Sequence, residues 1–299
     1  QETNRILSSL SCVWISHKHA DHCQGIIQLL VQLQKLQEQE EDQQDSRVSE
    51  TSSQFQCNVC KAKFDHDTSN RMHSRMHADV KGNWHPVTSE CGHTLLSPKE
   101  KRPLILIGPW WVQKILNDSI GIDSVRYQFV DAQDLTTSVH PLCDYLAREL
   151  GISSLIGVPM QHSYPTYGVV ITGKDNSWKF SYSADSRPWD LFIEAAKGST
   201  MLVHECTFDD EVQERAVATN HSTVSEALQV ACQVSADCLV LTHFSTRFKR
   251  ASFPKITDEY FEGHEELISM QGRIIPAFDF MRLPISTSQL LEIAQSVPK

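Results

Sequence analysis

The stretch Cys12-Val13-Trp14-Ile15-Ser16-His17-Lys18-His19-Ala20-Asp21-His22 decides how this chain is read. Three histidines and one aspartate fall within six residues, directly after an apolar run. Imidazole nitrogen and carboxylate oxygen are the donors that a borderline metal such as zinc prefers. In extended backbone alternate side chains share a face, so His17 and His19 point the same way. Asp21 and His22 are adjacent and reach in different directions, which gives access to a second ion. A polar loop with incidental histidines is the plainer reading, but it does not account for four ligand-type side chains packed at a strand end.

Outward from this cluster, the upstream residues 7–15 read as a strand. Downstream, residues 21–36 read as a helix, with Ile26, Ile27, Leu30, Leu33 and Leu36 at helical spacing. From Glu38 to Gln54 the composition turns to Gln, Glu, Asp and Ser and no apolar period survives, the mark of a solvated linker. Next comes Cys57-x2-Cys60-x12-His73-x3-His77, the spacing of a two-Cys, two-His zinc finger. So small a ββα unit lacks a sufficient apolar core, and zinc would supply its folding energy. Asn70 stands where such fingers carry a large aliphatic residue. Met72 falls at a base-facing position and offers no hydrogen bond to a base edge, so a structural, RNA-touching or protein-touching insert is expected rather than a DNA reader. Residues 79–102 look irregular. The expected organisation is a hydrolase-type domain over 1–37 and 103–299. Residues 38–102 interrupt it as an insertion: linker 38–54, finger 55–78, loop 79–102.

Strands and helices then alternate. Leu104 to Ile107 is an apolar strand, and Pro109 opens a helix to about Leu116. Residues 127–130 read as a strand and 141–150 as a helix stopped by Gly151. Strands at 155–160, 167–172 and 178–183 come next. Asp185, Glu205 and His243 share one placement, each at or just past the end of a strand. In layered α/β folds, functional groups gather at strand ends. Thr223-Val-Ser-Glu226 has the form of a capping box, and His221 sits just before it.

With 299 residues and 40% hydrophobic content the chain can bury a full core. The formal net charge of -10 argues against indiscriminate nucleic-acid binding through bulk charge. No apolar run approaches the length of a membrane span. Nine cysteines, an odd number mostly placed singly, fit a reducing intracellular compartment better than a disulfide framework. The chain begins at Gln1, so it reads as a fragment whose upstream targeting segment is out of view.

The pattern His17-x-His19-x-Asp21-His22 resembles the metal signature of the metallo-β-lactamase superfamily, which implies an αβ/βα four-layer sandwich, here N-terminally incomplete. Further motifs occur in order: Val158-Pro-Met-Gln-His162, Tyr182-Ser-Ala-Asp185-Ser-Arg-Pro188, Val203-His-Glu205-Cys-Thr-Phe208, Asn220-His221-Ser-Thr223 and Leu241-Thr-His243-Phe-Ser-Thr-Arg-Phe248. Together they resemble the ribonuclease Z (tRNase Z) family, and most the catalytic C-terminal half of its long form.

That resemblance implies a zinc-dependent endoribonuclease removing the 3′ trailer of precursor tRNA. One zinc would be held by His17, His19 and His162, a second by Asp21, His22 and His243, with Asp185 between them. A third would sit in the finger. Asp21, Glu205 and His221 would serve catalysis, Asp21 by orienting the attacking water and Glu205 by holding His221 as proton donor. Arg187, Arg247, Lys249 and Arg250 are candidates for RNA phosphates. The resemblance also implies a nuclear or mitochondrial location, with no membrane partner. It further implies dependence on the N-terminal half of a long form, or on a homodimer partner if the chain is short-form-like.

Ala184 replaces the family's usual glycine and would be strained at a positive φ, and Ser186 replaces its usual threonine. Two rival functions fit the same residues: another hydrolase of the superfamily acting on a thioester or phosphodiester metabolite, and a non-catalytic nucleic-acid or protein adaptor built on the finger.

Overall fold

In a computed structural model, the described residues are 2–45, 55–56, 63–64, 104–118, 127–136, 141–245, 258–262 and 264–296. The first departure from expectation is at the start, where α1 (Glu2–Ser9) is a helix and not a strand. Ile6 and Leu7 are neighbours in a polar run, so no strand alternation exists there, and the strand β1 (Cys12–Trp14) begins only with the apolar run itself.

The helix expected over 21–36 is two: α2 (Ala20–Cys23), then α3 (Gly25–Asp45), whose Ile26, Leu30 and Leu33 are buried at helical spacing. Two short strands, β2 (Phe55–Gln56) and β3 (Lys63–Phe64), pair antiparallel with Phe55 opposite Phe64. The four expected finger ligands Cys57, Cys60, His73 and His77, and Asn70 with them, lie outside the described residues, as do Arg247, Lys249 and Arg250.

β4 (Leu104–Gly108) is buried throughout, and α4 (Trp110–Asn117) comes next with Pro109 as its N-cap. Then come β5 (Tyr127–Asp131), α5 (Pro141–Leu150), β6 (Ile152–Pro159), β7 (Tyr167–Gly173) and β8 (Lys179–Tyr182). After these lie α6 (Asp190–Ala196), β9 (Met201–Glu205), α7 (Gln213–Thr219), α8 (Val224–Val234) and β10 (Cys238–Thr242). The chain closes with α9 (Asp258–Glu262), β11 (Ile274–Pro276) and α10 (Thr287–Ser296). Among the described residues the strands form a β1-β4-β5 sheet, a six-stranded β11-β10-β9-β8-β7-β6 sheet and the β2-β3 pair.

The chain divides into two units, one of Gln1–Ser11, Ile26–Ile105 and Ser119–Gln128, the other of Cys12–Gly25, Leu106–Asp118 and Phe129–Lys299. The second carries the large sheet and its core. Along β9 and β10 the period of two sends Leu202, Leu239 and Leu241 to one face, where Phe192 and Ile193 of α6 and Ala227, Leu228 and Ala231 of α8 pack on them. Met201, Cys238 and Val240 face the other way, against Leu290 and Ala294 of α10. Burying each large aliphatic side chain contributes roughly 1.5–3 kcal/mol, so both helical layers are firmly held. Gly157 lets β1 come close: a Cβ there would stand 3.0 Å from the Ala132 carbonyl oxygen and 3.2 Å from the Trp14 ring.

Strand polarity sets where the functional loops emerge. β8, β9, β10 and β11 run parallel, with Tyr182 opposite Val203 and Thr242 opposite Glu205. The ladder continues past the strand ends through Ser183 N–H to the Val203 carbonyl (3.0 Å) and Cys206 N–H to the Thr242 carbonyl (2.8 Å). The loops carrying Asp185, Glu205 and His243 therefore leave the sheet side by side.

Candidate metal centre

β1 delivers the first ligands. Ile15 N–H bonds to the Ile107 carbonyl (2.8 Å), and the Ser16 carbonyl accepts from Tyr167 N–H (3.0 Å), so the backbone is fixed on both sides where the histidines begin. His17 is fully buried, and its Nε2 lies 3.0 Å from Nδ1 of His19, as two residues on one face of an extended segment should. His162, from the turn after β6, brings its Nε2 to 3.1 Å from the same His19 nitrogen. Its Nδ1 donates to the Asn220 carbonyl (2.9 Å), which leaves the Nε2 lone pair facing the cluster.

On the other side His22 Nε2 lies 3.3 Å from His243 Nε2, and Asp21 Oδ2 is 3.3 Å from the first and 3.4 Å from the second. Asp185 stands between the two groups. Its Oδ2 is 3.5 Å from His17, 3.3 Å from His22, 3.8 Å from His162 and 3.4 Å from His243. The structure thus brings all seven expected ligands together.

These residues fit a metal. Among the described residues three groups have ligand atoms in reach of one ion: His17, His19, His162 and Asp185; Asp21, His22 and His243; and Asp185, His221 and His243, which shares members with the other two. Asp185 Oδ1 is buried with no hydrogen-bond partner, a costly arrangement unless something positive meets it. Burial, reinforced by the charges His22, His162 and His19 would carry, lowers the His17 pKa to about 3 and keeps its lone pair free. Burial pushes Asp185 upward, but hydrogen bonding to His22 and the surrounding imidazoles prevail and hold it at about 2.

Beside the cluster, Glu205 is fully buried and accepts four hydrogen bonds. Oε1 takes Ser186 N–H (2.9 Å) and His221 Nδ1 (2.8 Å), and Oε2 takes Thr207 N–H (3.0 Å) and the Thr207 hydroxyl (2.7 Å). His221 lies against the cluster, its ring centroid 4.7 Å from that of His162 and 5.5 Å from that of His243. Burial lowers the His221 pKa, but the Glu205 hydrogen bond and charge outweigh it and raise it above the ordinary value.

The His221 loop is pinned from below. Arg187 donates through Nη1 to the His221 carbonyl (2.6 Å) and to Glu226 Oε2 (2.7 Å), and through Nη2 to Glu226 Oε1. Glu226 is also the reciprocal member of the Thr223 capping box. The guanidinium of Arg187, a candidate for RNA phosphate, is thus committed within the protein. Ser222 adds a bond from its hydroxyl to the Ser186 carbonyl (2.6 Å). Ala184 has the positive φ expected of a glycine position, 53°, and is fully buried.

Sequence reasoning assigned no role to Thr207 and saw Glu226 only as a cap. The signal for Thr207 was present: it stands two residues after Glu205 in extended chain, on the same side.

No family model matches the chain. The chain is 25% identical over 324 residues to a mitochondrial tRNase Z of Arabidopsis thaliana, covering 92% of this chain and 29% of that protein. Among solved structures it superposes on a long-form RNase Z from yeast with a TM-score of 0.59 at 20% identity, over 86% of this chain and 31% of that one. It also superposes on the metallo-β-lactamase fold protein YhfI from Bacillus subtilis, with a TM-score of 0.50 at 15% identity, over 91% and 76%. The chain has the metallo-β-lactamase fold. It spans less than a third of the length of the plant relative. In this metallo-β-lactamase fold, the His/Asp cluster is formed by the loop after β1 and by the loops at the ends of the large sheet's strands. Among the described residues, no helix is long and apolar enough to cross a membrane.

Proposed function

We propose that this chain is the catalytic portion of a zinc-dependent endoribonuclease that removes the 3′ trailer from precursor tRNA. The observation that supports this most directly is the buried Glu205–His221 pair (2.8 Å) set against a seven-residue His/Asp cluster. The tRNase Z naming of the plant relative supplies the substrate class.

His17, His19 and His162 would hold one zinc, Asp21, His22 and His243 a second, and Asp185 both. When bound, the ions supply Lewis acidity to a phosphate oxygen and to water. Asp21 orients the attacking water. Water adds to phosphorus and gives up a proton by way of Asp21 to solvent, the bond from phosphorus to the 3′ oxygen breaks, and His221 delivers a proton to that departing oxygen from Nε2, to be reprotonated from solvent before the next turnover. Glu205 keeps the His221 Nδ1–H in place and stabilises the protonated ring. The products are a tRNA with a 3′ hydroxyl and a trailer with a 5′ phosphate.

The domain reading is 1–37 with 103–299 as hydrolase and 38–102 as insertion. Cys57, Cys60, His73 and His77 would hold a third zinc, and the β2–β3 pair is in keeping with the knuckle of such a finger. The mitochondrial naming of the plant relative favours mitochondrial work for this chain, with the nucleus the other location in keeping with a long form. An N-terminal half or a second copy would complete the grip on tRNA.

The test is incubation of the zinc-loaded protein with a tRNA bearing a 3′ trailer, and mapping of both new ends. A cut that releases the trailer with a 5′ phosphate and leaves a 3′ hydroxyl on the tRNA is expected. No cleavage, together with turnover of a small phosphodiester or thioester, would transfer the site to another hydrolase class. RNA binding lost in Cys57→Ser while the cluster does no chemistry would favour the adaptor.

A further inference from the structure

The Thr207 hydroxyl lies between the Glu205 carboxylate and two imidazoles: 2.7 Å from Glu205 Oε2, 2.7 Å from His243 Nδ1 and 3.2 Å from His221 Nδ1. We propose that Thr207 is a positioning residue that fixes the proton of His243 on Nδ1. Glu205 then orients two imidazoles at once, His221 directly and His243 through the Thr207 hydroxyl.

Counting protons assigns the tautomer. A hydroxyl has one hydrogen and two lone pairs, and an ionised carboxylate only accepts. Glu205 Oε2 is the acceptor in reach that offers a full charge, so the Thr207 proton goes there. The Thr207 oxygen can then only accept. His243 Nδ1, at 2.7 Å, must be the donor. The ring's other nitrogen, Nε2, is left with its lone pair pointing at Asp21 Oδ2 and Asp185 Oδ2, both 3.4 Å away. That is the tautomer a metal ligand needs, because a protonated Nε2 cannot bind an ion. His162 reaches the same state by a different partner, the Asn220 carbonyl.

The two halves of the cluster therefore differ in their support. Among the described residues, the half with Asp21, His22 and His243 has one ligand, His243, tied to Glu205 through Thr207, while no bond ties His17, His19 or His162 to that carboxylate. Thr207 is buried, and its N–H also bonds to Oε2 (3.0 Å), so the hydroxyl's position is set by backbone as well as side chain.

This role for Thr207 rests on the two-ion reading under Proposed function, and the experiment separates the two. Metal-free protein in a Cys57→Ser background, which silences the finger, is titrated calorimetrically with zinc. Thr207→Ser is expected to take up two ions as the parent does. Thr207→Val, of nearly the same shape but without the hydroxyl, is expected to hold one ion normally and the other about 10–100-fold more weakly. Nitrogen-15 spectra of the metal-free parent should show His243 protonated on Nδ1. Two ions of parental affinity in Thr207→Val, or equal losses in Ser and Val, would overturn the proposal alone. A parent whose cluster takes up no zinc would overturn the two-ion reading and this proposal with it. If Thr207→Val does not fold, the tautomer decides: a proton on His243 Nε2 in the metal-free parent overturns it.

Discussion

Replacing Arg187 asks whether its guanidinium works inside the protein or on a phosphate. Both outer nitrogens are engaged, Nη1 to Glu226 Oε2 (2.7 Å) and the His221 carbonyl (2.6 Å), Nη2 to Glu226 Oε1. The side chains are 15% and 8% exposed, so the pair lies largely out of water. Breaking a buried pair by removing one member costs about 3–5 kcal/mol, because the other charge is left unpaired. The residual exposure of Arg187 puts Arg187→Met at the lower end, about 3 kcal/mol. The double change Arg187→Met with Glu226→Leu should regain most of that, since no charge is stranded.

Acid should erase the difference. Burial raises the Glu226 pKa, but the Arg187 guanidinium, the Thr223 N–H and the Gln213 amide hold it below the ordinary 4.5. A depressed carboxylate stabilises fully above its unfolded value and loses that contribution as the pH falls through the folded one. Denaturant melts of wild type and Arg187→Met should therefore converge below pH 4.5. In the cleavage assay, Arg187→Lys should lower kcat through the loosened His221 loop and leave KM unchanged. The dependence of kcat/KM on salt should keep its slope, whereas loss of one phosphate contact to a single strand would reduce the slope by about 0.7. Full stability with a raised KM and a flattened salt slope would refute the reasoning.

Three other outcomes are expected. His221→Ala should reduce kcat about 100- to 10,000-fold, the usual scale of general acid catalysis, while zinc content stays at the wild-type level; elemental analysis beside the cleavage assay checks both halves. Chelation should lower the melting temperature and zinc should restore it, with about 4 kcal/mol gained at a thousandfold excess over Kd; a melt indifferent to zinc would count against the cluster as a metal site. At Ala184, glycine should change stability by less than about 1 kcal/mol, as read from denaturant melts. Relief of roughly 1–2 kcal/mol of left-handed strain is offset by about 0.4–1 in unfolded-chain entropy and about 0.8 for the lost methyl. Valine, branched at the β carbon in a fully buried, left-handed position, should cost about 3 kcal/mol.

What was legible in the sequence was local. His17, His19, Asp21 and His22 are near neighbours in the chain, and the Thr223–Glu226 capping box spans one helical turn, so both show in their own spacing. The strands ending near Glu205 and His243 declared themselves by apolar runs of the right length, and the one before Asp185 by the turn residues Gly173 to Asn176 ahead of it. What stayed hidden depends on partners far apart. Arg187 and Glu226 are 39 residues apart, and Thr207 and His243 36. No periodicity links them, so Arg187 looked like a free basic residue beside a metal motif. The strand expected over residues 7–15 began too early for the opposite reason: before Cys12 the few apolar residues carry little pattern, and a helix over Glu2–Ser9 satisfies the backbone without any partner.

The side-by-side parallel strands have a consequence for how this centre tolerates change. Neighbouring strands sit about 4.8 Å apart, so β8, β9 and β10 act as the teeth of a comb that spaces Asp185, Glu205 and His243. Such a comb has only two settings per tooth, because moving a strand by one residue turns every side chain to the opposite face. A single-residue insertion within Met201–Glu205 would therefore not nudge the carboxylate by a fraction of an ångström. It would swing Glu205 toward the layer formed by α6 and α8 and bring His204, which now faces Phe192, round in its place, so this centre tolerates a change of side chain more readily than a change of strand length.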